Sequence, residues 1–271
     1  MSSRLRAVYP KSLSEYLKLV EQLQRTAKRS LWFRGVGKTK YKLVPSLYRH
    51  PTKKTGDQLN ELERQLMARF RQRSIPYISR TLSDDWDHLF FMQHYGVPTR
   101  LLDWTENSLV GLHFALMSAI SRSTKNGRTS YADAAVVWVL DPVAWNCSAF
   151  EHVSYSGEPF ASGDEQLKGY LRSAGAPMSA HPVALHGAHN SARIVAQGGV
   201  FTIFGKNKTP MESLVQKGIF PSRALSRIII RPKCIQTMRD SLLKQGITES
   251  VVFPDLEGLA RETKRHFGFE A

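Results

Sequence analysis

Gln93-His94-Tyr95-Gly96-Val97-Pro98-Thr99-Arg100-Leu101-Leu102-Asp103-Trp104-Thr105-Glu106-Asn107 is the stretch on which the reading of this 271-residue chain turns. Gly96 and Pro98 punctuate its first half. The second half sets Arg100 and Asp103 among Leu101, Leu102 and Trp104, so polar groups there are partly buried. An unpaired buried charge is costly, so Asp103 is expected to pair with Arg100, with Arg34 or with a ligand. Leu109, Leu112, Leu116, Ala119 and Ile120 follow at helical spacing, and Thr105 and Asn107 are both placed to cap that helix. Asp85 to Tyr95 reads as the helix before the stretch.

Toward the N-terminus, Leu31-Trp32-Phe33 is a short apolar run leading into Arg34-Gly35, a buried strand stopping at a turn. Ser12 with Glu15 forms a capping box, and Leu13, Tyr16, Leu17, Val20 and Leu23 give an amphipathic helix behind it. Leu59, Leu62, Leu66 and Phe70 mark a second helix, and residues 36–56 read as loop. Toward the C-terminus, residues 121–131 read as a polar linker and Ala134–Leu140 as an apolar strand stopped by Asp141-Pro142. Residues 146–190 are poorly patterned and read as a long variable excursion, a length often functional in compact domains. Val200–Phe204 and Arg227–Arg231 read as strands, Ile235–Leu243 as a helix and Ser250–Phe253 as a short strand. Asp255 is placed to cap a last helix through His266. Helices cluster early and strands late, without a βαβ rhythm. The expectation is a single α+β domain over residues 1–271, with a mixed or antiparallel sheet and a largely helical N-terminal part.

The net charge of +15 is unevenly placed. Residues 1–75 carry 18 Lys and Arg against 5 Asp and Glu, a net +13. Such a field attracts polyanions, nucleic acid among them, or it is simply a solvated basic face. The two cysteines, Cys147 and Cys234, are too far apart for a metal knuckle or a redox pair, which points to a reducing cytoplasm. No apolar run suggests a membrane span or a signal peptide, so no membrane partner is expected. Oligomeric state is not readable.

There is no GxxxxGK[ST], GxGxxG, HExxH or GxSxG motif, and Gly35-Val36-Gly37-Lys38 is too short for a phosphate loop. Of the nine histidines, His181, His186 and His189 share a loop region, but their spacing is not that of a metal site and no metal is expected. Three polar constellations remain. Arg34, fixed by backbone, either grips a phosphate bidentately or locks a turn against a carboxylate. His94, Arg100, Asp103, Trp104 and Thr105 form either a ligand site or an internal salt-bridge network. Gln197, just before a strand, either fixes a ligand hydroxyl or satisfies loop backbone. Asp255 is explained as a helix cap.

The blocks Phe33-Arg34-Gly35, Leu43 to Arg49, Gln93 to Asn107, Asp133 to Pro142, Arg193 to Thr202 and Phe253 to Leu259 resemble the FRG domain family, named for that tripeptide. The family occurs in bacteria and phages in settings that suggest conflict, which implies an effector, toxin or phage-defence role. A looser resemblance is to ADP-ribosyltransferases. It implies that Arg34 binds an NAD phosphate and that Thr105 and the helix ending Gly111-Leu112-His113-Phe114-Ala115 supply the second element. The third element is a Glu or Gln holding a ribose hydroxyl; no ExE or QxE is present, and Gln197, Asp255 and Glu257 are the candidates by position. The resemblance thus implies an ADP-ribosyltransferase-like enzyme or NAD glycohydrolase. Arg34, Asp103 and Gln197 would be catalytic, and His94, Arg100, Trp104, Thr105 and Asp255 would bind substrate. The alternatives are a non-catalytic nucleic-acid-binding module, working through residues 1–75, and a nuclease or other hydrolase with His94 and Asp103 as acid and base.

Overall fold

The computed structural model describes residues 5–269 apart from 28, 79–81, 83, 124–128, 151–154, 156, 172–174 and 188–191. In chain order the elements begin β1 (Ala7–Val8), α1 (Leu13–Thr26), β2 (Trp32–Val36), α2 (Gly56–Ser74), α3 (Asp85–His94), β3 (Leu101–Thr105) and α4 (Ser108–Met117). Next come β4 (Ser121–Ser123), β5 (Thr129–Tyr131), β6 (Ala135–Leu140), α5 (Pro142–Ala149), β7 (Val183–His186), α6 (Ala192–Gln197) and β8 (Gly199–Ile203). The chain closes with α7 (Met211–Gln216), β9 (Leu225–Ile230), α8 (Pro232–Lys244), α9 (Glu249–Val252) and α10 (Leu256–His266).

Seven strands form one sheet in the order β1-β9-β6-β2-β3-β8-β7. Only β1 and β9 pair in parallel; the other neighbours are antiparallel. The fold is therefore α+β with a mixed, mostly antiparallel sheet. Strand alternation divides its residues between two faces. Along β6, Val136, Trp138 and Leu140 join one core, while Ala135, Val137 and Val139 join another on the opposite face. The first face is a single core that includes Trp32, Leu102, Trp104 and Val200. The second face carries two cores. One joins Phe33 and β6 to α1, α4 and α8; the other joins Trp86, Leu89 and Phe90 of α3 to Leu101, Phe201 and Ile203.

The two parts of the sheet meet loosely. β2 and β6 share five register pairs, and β3 and β8 share five. β2 and β3 share one, Phe33 with Thr105. Beyond it the strands splay apart.

Several elements differ from the sequence expectation. β2 does not stop at Arg34-Gly35 but runs to Val36, because β6 supplies ladder partners along its whole length. Gly35 serves packing instead of a turn. A Cβ there would lie 2.0 Å from the Gly111 carbonyl oxygen and 2.3 Å from the Ala115 nitrogen, so α4 can lie on β2 only if position 35 has no side chain. The central stretch contains a strand, β3, whose burial leaves only Asp103 exposed. Asn107 is the cap of α4, its Oδ1 accepting from the Leu109 and Val110 amides, while Thr105 ends the strand. Residues 121–131 hold a hairpin, β4 with β5, and not a linker. The expected strand at 250–253 is the single turn α9, which packs Val252 and Phe253 against Val110; a short apolar run does not distinguish strand from helix. The 146–190 excursion includes the edge strand β7, fastened when Asn146 bonds both the amide and the carbonyl of Ala184. Asp255 caps α10, its Oδ1 accepting from Gly258 N at 2.8 Å. No helix among the described residues is long and apolar enough to cross a membrane.

Candidate functional site

Between the two cores of the second face lies a cleft of about 260 Å³. Gly35 of β2, Asp103 and Thr105 of β3, and Gly199 and Phe201 of β8 form its floor. α3 contributes Phe90, Gln93 and His94, α4 contributes Phe114, and α6 contributes Arg193, Ile194 and Gln197. Helix α3 can end there because Gly96, at φ +73°, turns the chain away while Val97 N bonds back to Met92 O.

Arg34 occupies the opening between the splayed strands. Its Nη1 donates to the main-chain oxygen of Asp103 at 2.6 Å and lies 3.6 Å from the Asp103 Oδ2. The Arg34 side chain is 23% exposed and that of Asp103 is 52% exposed. Burial lowers the arginine pKa, the Asp103 carboxylate raises it, and Arg49 lowers it further; the net shift is downward. A guanidinium stays charged through such a shift.

Asp103 is aimed by a short relay. The Leu101 amide donates to Thr99 Oγ1 at 3.0 Å, and the Thr99 hydroxyl donates to Gln93 Oε1 at 2.5 Å. That orients the Gln93 amide so that Nε2 donates to both Asp103 oxygens, at 2.9 and 2.8 Å. No bond joins Asp103 to His94 among the described residues. Burial lowers the His94 pKa first, with Arg193 lowering it and Asp255 opposing, so the ring is mostly neutral near pH 7.

The third wall is also fixed. The Thr105 hydroxyl donates to the Gln197 carbonyl oxygen, and the Gln197 Nε2 donates to Val252 O at 3.0 Å. The Gln197 Nε2 is thereby tied to the α9 backbone while its side chain lines the cleft. Arg193 stacks on the Phe253 ring at 4.5 Å, presenting a second guanidinium at the cleft.

Of the residues singled out in the sequence, Arg34, His94, Asp103, Trp104, Thr105 and Gln197 line this cleft. Arg100 does not. Its side chain is 1% exposed and donates to Glu63, to Phe204 O and to Tyr170 O, so it ties α2 to the sheet and is spent on that contact. Asp255 is not among the lining residues; its carboxylate caps α10 and reaches His94 only through its field. Trp104 is 3% exposed and its indole N–H is taken by Thr202, so it belongs to the first-face core. The half-buried ring of Phe114 is better placed to meet a planar ligand.

Sequence reading did not single out Gln93 or Arg193. The signal for Arg193 is its spacing of four from Gln197, which puts both on one helical face. The histidine group does not assemble: His181 packs on Phe220, His186 on Trp32, and His189 lies outside the described residues. Among the described residues no three His, Cys, Asp or Glu side chains are grouped to hold a metal.

Residues 29–124 match the FRG domain. The segment supplies β2, α2, α3, β3 and α4, and so both Arg34 and Asp103; the match does not extend to residues 133–142, 193–202 or 253–259, where the sequence reading expected it. No curated protein matches the chain, and no solved structure does.

Proposed function

We propose that the cleft binds NAD and cleaves its nicotinamide–ribose bond, making the chain an NAD glycohydrolase or ADP-ribosyltransferase. The observation that carries this reading is the meeting of Arg34 and Asp103 in the opening between β2 and β3. A cation and a carboxylate share one recess there, with an aromatic wall and a second arginine, Arg193. Glycosidic cleavage of a pyridinium nucleotide asks for little more. The leaving nicotinamide is neutral and takes the bond's electron pair, so no acid is required to protonate it. What needs stabilising is the positive charge that grows on the ribose before water or an acceptor adds to C1′, and a placed carboxylate does this.

In this reading Asp103 faces the ribose C1′ and Gln93 holds it there. Arg34 and Arg193 pair with the pyrophosphate, bidentate contact being the strength of a guanidinium. Phe114 flanks the nicotinamide ring. Gln197 accepts from a ribose hydroxyl through Oε1. His94, neutral, offers a hydrogen bond without competing for the anion. The recess suits the nicotinamide riboside half of the molecule and leaves the adenosine half at its mouth. A role in conflict between bacteria and phages fits an enzyme that consumes NAD.

The test is direct. The protein is incubated with NAD and released nicotinamide is measured by chromatography, with and without candidate acceptors. Asp103→Asn removes the charge but keeps an acceptor for Gln93, and turnover should fall by a factor on the order of 10² to 10³. Full activity in that variant, or no nicotinamide from the parent protein, overturns the reading.

A further inference from the structure

The corner where α2 ends beside the end of α3 exposes two tyrosine rings. Tyr77 is 87% exposed and Tyr95 is 66% exposed. Both line a shallow depression with Phe70 and Arg73. Helix α3 is shared between this corner and the cleft. Its His94 lines the cleft, and the Tyr95 ring meets the His94 ring edge-on with centroids 4.7 Å apart. The corner therefore runs into the cleft mouth through one pair of rings.

Charge at the corner is unbalanced. Arg64 and Arg71 are neutralised by Glu61 and Asp85. Arg69 and Arg73 are exposed on the same helix, and among the described residues neither has a carboxylate partner. They belong to the segment 1–75 that holds a net +13. Tyrosine rings so fully in water contribute little to a core; Arg73 lines the depression with them, and Arg69 lies one helical turn before it on α2. A single-stranded nucleic acid presents both complements, base faces for the rings and phosphates for the cations. A duplex hides its base faces and offers only the phosphates. An acidic peptide offers charge but nothing planar to stack.

We propose that this corner is a platform for single-stranded nucleic acid, with bases stacked on Tyr77 and Tyr95 and phosphates held by Arg69 and Arg73. It does not rest on NAD cleavage, and a protein inactive on NAD can still meet it.

The experiment is fluorescence anisotropy of a short labelled oligothymidine and of a duplex of equal length, each titrated with the full chain over a range of salt. The single strand should bind about tenfold more tightly than the duplex. Tyr77→Ala and Tyr95→Ala should each weaken single-strand binding about tenfold, from the loss of one stacked base. Tyr77→Phe should retain it, since the ring does the stacking. Arg73→Ala should lower the salt slope by about 0.7. All four side chains are exposed, so melting temperatures measured in parallel should not move. Equal affinity for strand and duplex with the tyrosine variants unaffected overturns the proposal in favour of unspecific charge. No oligonucleotide binding at low salt, with a polyglutamate peptide bound instead, overturns it in favour of a protein-facing surface.

Discussion

The Arg34 guanidinium holds the Asp103 residue twice, by its main-chain oxygen at 2.6 Å and more distantly by its carboxylate at 3.6 Å. The first contact bridges two strands that share a single ladder pair; the second places a cation beside an exposed anion. Lysine can reproduce the charge but not the planar fork. Arg34→Lys should therefore leave the melting temperature within a few degrees and reduce nicotinamide release by a factor on the order of 10². A lysine variant that turns over normally removes the phosphate-gripping role. One that melts far earlier, with activity lost in proportion, assigns Arg34 to bracing alone.

Arg100 and Glu63 should behave in the opposite way. Their side chains are 1% and 4% exposed and the pair is 2.6 Å apart. Glu63→Ala leaves a guanidinium buried beside two carbonyls with no counter-charge, a change that costs about 3–5 kcal/mol. Chemical denaturation should show that loss, while nicotinamide release per folded molecule stays at the parent level. A catalytic defect at unchanged stability would contradict the assignment.

At Gly35 the added methyl of Gly35→Ala meets backbone on α4, which cannot swing aside as a side chain can. A destabilisation of about 3 kcal/mol or more, or failure to accumulate as soluble protein, is expected. A denaturation midpoint equal to that of the parent would show that α4 can lift off β2.

His113 makes stability depend on pH. The residue is 1% exposed, and among the described residues neither ring nitrogen has a hydrogen-bond partner. Burial first, then Arg239 and Arg265, lower its pKa to about 4 against the opposing pull of Glu249. The folded state thus refuses a proton that the unfolded chain accepts near pH 6.5. The contribution is fully present above about pH 6.5 and is lost as the pH falls toward 4, to a total of about 3 kcal/mol. In His113→Leu this part of the acid loss should vanish from a pH series of melting curves. Parallel curves for the two proteins between pH 7 and 4 would rule the histidine out.

What was legible in the sequence was mostly what is local. Ser12 with Glu15, Asn107 and Asp255 are caps whose partners lie within three residues. β3 was hidden because Leu101, Leu102, Trp104 and Thr105 are buried on both faces, which erases the alternation that marks a strand. Arg34 is among the partners the sequence offers for Asp103, although it lies in mid-strand and not at the strand end expected of it. Arg100 reads as a site residue in the sequence because its partner Glu63 lies 37 residues earlier on α2, a distance no local pattern spans. Gln93 passed unremarked because its importance comes from Thr99 turning its amide, which is a matter of three dimensions.

The single ladder pair between β2 and β3 also decides how portable the matched segment is. Among the described residues of 29–124, Phe33 with Thr105 is the one pairing between strands of the large sheet. The strand that completes β2 is β6 and the one that completes β3 is β8, and both lie outside the segment. A chain cut at its borders would carry two apolar strands with bare edges, the arrangement that invites pairing with other chains and precipitation. The signature residues are thus half of a joint whose other half is supplied later in the chain. Grafting them into another protein would transplant the tripeptide without the scaffold that holds it open.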